Sequence, residues 1–207
     1  MNTWRDDVQP IEEAAAVARA RIYSFLAGVF CSAPTAESVH AVSQMALTLG
    51  IPCPEGLPLS ELRREFMDLF VVPSPQYVAP YESAYRDCWV LPPGPGKEST
   101  EQVIGSLLMG ESTMQVRQAY LQAGVLPEED LPDHIANELR FMAHLWAREA
   151  EADGEAPALA DLRQRFRKEH LLQWIGQLRE RVMERDHLGY YRVALQVAEV
   201  LLQEDGN

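Results

Sequence analysis

The sequence has few of the features that mark an enzyme or a metalloprotein. Its three cysteines, Cys31, Cys53 and Cys88, are odd in number, widely spaced and include no C-x-x-C pair. That argues against a disulfide framework and a zinc site, and points to a reducing compartment. Gly94-Pro95-Gly96-Lys97 is too short and too rich in proline to be a phosphate loop. There is no G-x-S-x-G and no cysteine beside a recognisable base, and His134 and His144 project roughly 80° apart on a helix, so H-E-x-x-H zinc chemistry is absent as well. No catalytic residue, cofactor or metal is expected. Basic residues are scarce too: 18 Lys+Arg against 31 Asp+Glu leave a formal charge of -13. Such a surface repels nucleic acid and anionic membrane. It suits a cationic peptide, or serves solubility alone. Long apolar runs are missing, since residues 22–30 are interrupted by Ser24, and the opening Met1-Asn2-Thr3-Trp4-Arg5 is no basic leader. Without an export signal or a stable membrane span, the expected location is the cytoplasm.

What is present is helical periodicity. With 207 residues, 47% of them hydrophobic, the chain can build a core without a staple. Ile11, Ala15, Ala18, Ile22, Phe25, Leu26 and Val29 recur at three- and four-residue steps and stop before Pro34. Further helices are predicted over residues 36–49, 59–70, 98–123, 130–152, 159–182 and 188–202, with Gly50, Gly124 and Gly189 among the stops. No strand pattern is evident. The expected fold is all-α, a single helical globule of about eight to ten helices over residues 1–207. A proline-rich loop at about 71–97 and a hinge at about 124–130 interrupt it, and a loop that long is often functional.

One predicted helix carries polar groups where apolar ones belong. Asp130 is read as its cap, with Asp133 facing the positive end of the dipole. Leu131, His134, Glu138, Phe141, Met142 and Leu145 share one side, so His134 and Glu138 lie in an apolar stripe at i,i+4. They either pair with each other as a helix lock or meet a ligand. In the loop, Tyr77, Tyr81, Tyr85 and Trp89 stand at four-residue steps. They belong either to the core or to a surface that would receive a peptide carrying Arg and Phe.

Pro132-Asp133-His134-Ile135-Ala136-Asn137-Glu138-Leu139-Arg140-Phe141-Met142 resembles the P-x-D-H-x-x-x-E-L-x-F-M signature of the TorD/DmsD/NarJ family of redox-enzyme maturation chaperones. Arg64-Glu65-Phe66-Met67-Asp68-Leu69-Phe70 is similar to the family's E-x-x-x-L-F region, and Pro80-Tyr81-Glu82-Ser83-Ala84-Tyr85 to its P-x-x-S-x-Y segment. The likeness implies an all-α chaperone that is not an enzyme. Its partner would be the twin-arginine signal peptide and apo-precursor of a molybdoenzyme of the TMAO/DMSO reductase type. By motif, Asp133 and His134 would bind that peptide, followed by Tyr81, Ser83 and Tyr85, with Glu138 alongside. The alternative is a generic acidic interaction or regulatory module.

Overall fold

The computed structural model describes residues 3–91, 102–106, 108–126, 131–151 and 156–206. Among them are nine α-helices and one short β-ribbon. Helix α1 spans Thr3–Cys31, α2 Ala36–Thr48, α3 Leu59–Phe66 and α4 only Ser83–Arg86. Strands β1 (Cys88–Leu91) and β2 (Gln102–Ser106) pair antiparallel, with an irregularity between Trp89 and Val90. Then follow α5 (Glu111–Gln122), α6 (Ile135–Glu151), α7 (Ala156–Phe166), α8 (Leu172–Met183) and α9 (Tyr190–Glu204). Two π-helical turns, Met67–Val71 and Arg167–Leu171, extend α3 and join α7 to α8.

Local chemistry explains most boundaries. Thr35 and Ser38 form a reciprocal capping box that starts α2. Helix α5 ends as expected at Gly124, whose φ of +73° suits a residue without Cβ, while the Val125 N–H donates back to the Tyr120 carbonyl at 2.9 Å. At the other end of α5, Asp87 accepts from both the N–H and the hydroxyl of Ser112. Gly110 is required there, because a Cβ would collide with the Asp87 carboxylate.

The core is one contiguous cluster. Tyr23, Leu26 and Phe30 of α1 meet Ile135, Leu139 and Met142 of α6, while Trp174 and Tyr191 bring in α8 and α9. The Glu13–Cys31 stretch of α1, 19 residues at a mean hydropathy of 1.3, is long and apolar enough to cross a membrane by composition. Residues 22–30, too short an apolar run by themselves, lie within it. Its innermost residues, Tyr23, Leu26 and Ala27, are fully buried against the rest of the chain.

Three expectations are corrected. The segment read as the start of a helix at residue 98 contains β2, and α5 begins only at Glu111. Part of the proline-rich loop is β1 rather than irregular chain. The helix expected from Asp130 begins at Ile135, and Asp130 itself lies outside the described residues.

Candidate functional site

The two motif segments, far apart in sequence, are joined through their backbones. Tyr81 and His134 form an isolated antiparallel bridge. On either side of that rung, the Glu82 N–H donates to the Asp133 carbonyl and the Ile135 N–H to the Pro80 carbonyl, each at 2.9 Å. Proline suits this edge because it has no N–H to leave unpaired.

Asp133 lies beneath the rung at 0% exposure. Its Oδ2 accepts the Ser83 N–H at 3.0 Å, at the start of α4. Ser83 is equally buried. Asp133 therefore ties the two segments together rather than capping the helix that follows it. His134 is partly exposed and takes the terminal role instead: its Nδ1 accepts the Ala136 N–H at 3.0 Å in the first turn of α6. Its ring meets Tyr81 edge-on at a centroid distance of 5.1 Å. An Nδ1 that accepts leaves the ring proton of a neutral imidazole on Nε2.

Glu138 points elsewhere. Its Oε2 accepts the Trp174 indole N–H at 3.2 Å in the interior. Burial, then the neighbouring Glu82 charge, holds its carboxyl well above the usual range. His134 and Glu138 thus have separate partners despite sharing one side of the predicted helix. Tyr85 also turns inward, donating its hydroxyl to the Ala79 carbonyl at 2.9 Å and laying its ring 5.4 Å from Trp174. The Arg181 guanidinium sits 5.0 Å above that ring. The four-residue aromatic spacing does not make one helical stripe, because α4 contains Tyr85 alone of the four.

Glu82 is the hub that sequence reasoning missed. At 0% exposure it holds Arg86 through Oε1 and His170 Nδ1 at 3.0 Å through Oε2. The second π turn places His170 there, and Arg86 continues to the Glu169 carbonyl at 2.7 Å. A faint signal existed: Glu82 and Arg86 are an i,i+4 acid–base pair.

Above the rung opens a cleft of about 400 Å³. Phe30, Phe66, Phe70 and Leu131 give it apolar walls, and Tyr81 and His134 form its rim. Phe70 stands edge-on to Phe30 at 6.1 Å, so the wall is built from interlocked rings. The first π turn leaves Met67 and Val71, with Val72 after it, open to solvent beside this wall. At one end Arg140 donates to Asn137 Oδ1 and Cys31 Sγ, each at 2.9 Å. Three of the six predicted site residues, Asp133, Ser83 and Glu138, are completely buried, and Tyr85 is nearly so. Among the described residues, no three metal-ligating side chains come together.

Residues 32–180 match the family described as nitrate reductase delta subunit, and the chain belongs to that family, which includes the TorD and NarJ proteins. Among its relatives is the chaperone protein TorD of Vibrio cholerae, 29% identical over 150 residues. That alignment covers 70% of this chain and 60% of the relative, so the chain spans about three-fifths of the length of that protein. Chaperone protein TorD of Shewanella pealeana is 29% identical over 137 residues, 65% of this chain and 54% of its own. Chaperone protein TorD of Escherichia coli is 25% identical over 194 residues, 94% of this chain and 85% of its own. A solved structure from Archaeoglobus fulgidus assigned to redox enzyme maturation is 18% identical, covers 70% of this chain and 91% of that one, and gives a TM-score of 0.38. The curated relatives named here are all chaperones by name rather than enzymes.

Proposed function

We propose that this chain is a cytoplasmic chaperone for a molybdoenzyme precursor, and that the cleft above the Tyr81–His134 rung holds the precursor's twin-arginine leader. The observation that carries the reading is the cleft itself. Two segments that resemble the family's signature converge to make its rim, and its walls are aromatic. An apolar stretch of leader would lie over the exposed Met67, Val71 and Val72 beside the cleft, which the buried Phe30, Phe66 and Phe70 back from within. The net charge of -13 draws the cationic leader in from a distance.

Within this reading the six motif residues divide by depth. Tyr81 and His134 touch the peptide. Ser83, Tyr85, Asp133 and Glu138 hold those two in place from below, and a direct ion pair between Asp133 and a leader arginine requires the rung to open first. Binding the leader of a reductase of the TMAO/DMSO type would delay export until the cofactor is loaded. Affinity on the order of micromolar, about -8 kcal/mol, meets the need for both capture and release.

The test is calorimetric titration of a synthetic twin-arginine leader into the wild-type chain and into Tyr81→Ala, His134→Ala and their double variant. The double variant should bind at least ~10-fold more weakly, equivalent to about 1.4 kcal/mol, with its fold intact. Raising salt should weaken wild-type binding without abolishing it. Wild-type affinity in the double variant would place the leader elsewhere.

A further inference from the structure

A second cleft, of about 500 Å³, opens between α5 and the α7–α8 segment, and its lining differs in kind from that of the first. Along one side run Gln115, Gln118 and Gln122, at three- and four-residue steps on α5. Along the other stand Arg165, Lys168 and Glu169. The floor between them is apolar, formed by the buried Ala119, Leu162 and Phe166.

Charge is what sets this cleft apart. In a chain of net charge -13, its described lining brings Arg86, Arg165 and Lys168 together with Glu169 as their only carboxylate. Arg86 already holds Glu82. Arg165 and Lys168 are exposed and have no ion-pair partner among the described residues, whereas Arg19, Arg163 and Arg179 all hold carboxylates. Outside this lining, on the neighbouring face of α5 beyond Gln118, there is exposed apolar surface. Met114 and Leu121, seven residues apart and so on one face of α5, are 59% and 51% exposed.

We propose that this cleft docks an acidic amphipathic segment of a partner protein, with its carboxylates on Arg165 and Lys168 and its apolar side over Met114 and Leu121. The donors are strung along two helices instead of converging on a point, as a linear segment requires. Guanidinium and ammonium groups bind carboxylates through charge-assisted hydrogen bonds, and the glutamine amides meet peptide groups along the way. A nucleotide fits less well: Phe166 is buried at 1% exposure, so no ring is open for a base, and no glycine-rich turn faces the cleft to cradle phosphate. The proposal uses none of the residues assigned to the leader and is independent of that reading.

Fluorescence anisotropy with the full chain tests it, the probe being a fluorescein-labelled peptide with Glu and Leu at helical spacing. The double variant Arg165→Glu with Lys168→Glu should lose about tenfold or more in affinity at low salt. The charge-conserving Arg165→Lys with Lys168→Arg should stay within about threefold of wild type. Met114→Ser with Leu121→Ser should weaken binding about threefold to tenfold. A peptide with Lys in place of Glu should not bind. Unchanged affinity on charge reversal overturns the proposal, and so does complete displacement of the peptide by millimolar inorganic phosphate, which would mark a site for small anions. Leader-peptide titration of the same variants keeps the two readings apart, because Tyr81 and His134 are intact in all of them.

Discussion

Four of the buried carboxyl groups among the described residues stand in two pairs, and the pairs are stabilised in different ways. Glu82 and Glu138 lie under the rung, where an imidazole and a guanidinium face Glu82 and an indole N–H faces Glu138. Glu65 and Asp186 lie between α3 and the start of α9. There the Glu65 Oε1 accepts the N–H groups of His187 and Leu188 at 2.7 and 3.0 Å, while Asp186 accepts those of Gly189 and Arg192 at 2.7 and 2.8 Å. Arg86 balances the charge of Glu82, while burial and that neighbouring charge hold the Glu138 carboxyl well above the usual range. Backbone N–H groups and a hydrogen bond between the two carboxyl groups hold the second, and burial, then the adjacent Asp186 charge, pushes Glu65 up to about 7. The contrast separates a carboxylate locked by a cation, Glu82, from one held mainly by backbone N–H groups, Glu65.

The largest effect should come from breaking the lock. Glu82→Ala leaves Arg86 and His170 without their carboxylate and should destabilise the fold by about 3–5 kcal/mol in urea unfolding. A loss below about 1 kcal/mol would remove Glu82 from the centre of the network. Asp133→Ala comes next. It deprives the buried Ser83 N–H of its acceptor and should cost about 1–3 kcal/mol of stability. Leader affinity, measured by calorimetry well below the melting temperature, should stay within about threefold of wild type; a tenfold loss with unchanged melting would instead put Asp133 against the peptide. The smallest effect belongs to Glu65. Its folded pKa lies above the unfolded value of 4.5, so the folded chain keeps a proton that the unfolded chain releases. Stability from this group is complete below about 4.5 and is lost as pH rises through about 7. Denaturant midpoints should fall across that window for wild type and run flatter for Glu65→Gln. Equal slopes would show that Glu65 does not titrate there.

The regular helices were legible because each is specified locally. The stop at Gly124 and the start of α2 at Thr35 rest on residues within a few positions of each other. The ribbon was not, since Gln102–Ser106 is a five-residue run whose pairing partner lies beyond a stretch of Pro and Gly, and so short a run has no decisive period. Acids and Pro132 imitate a helix entry at Asp130, whereas residues 131–134 form a turn, with the His134 N–H on the Leu131 carbonyl, that the Glu82 and Ile135 backbone bonds tie to the other motif segment. Likewise, spacing put the right segments on the page but could not show that Tyr81 meets His134, nor that Glu82 collects His170 and Arg86. Those contacts are decided by tertiary pairing, which no local pattern encodes.

The rung also has a kinetic side. By pairing Tyr81 with His134 it closes an excursion of about fifty residues that contains the ribbon and α5. Closing a flexible loop of that size costs about 3.5 kcal/mol in chain entropy before any contact repays it, so the rim of the first cleft is a high-contact-order feature that should form after the helices on either side. Once closed, the excursion is tolerant: doubling its length would add only about 0.6 kcal/mol to that cost. Segments between the two motif strands can therefore lengthen or shorten over evolutionary time while the aromatic wall and its rim keep their register.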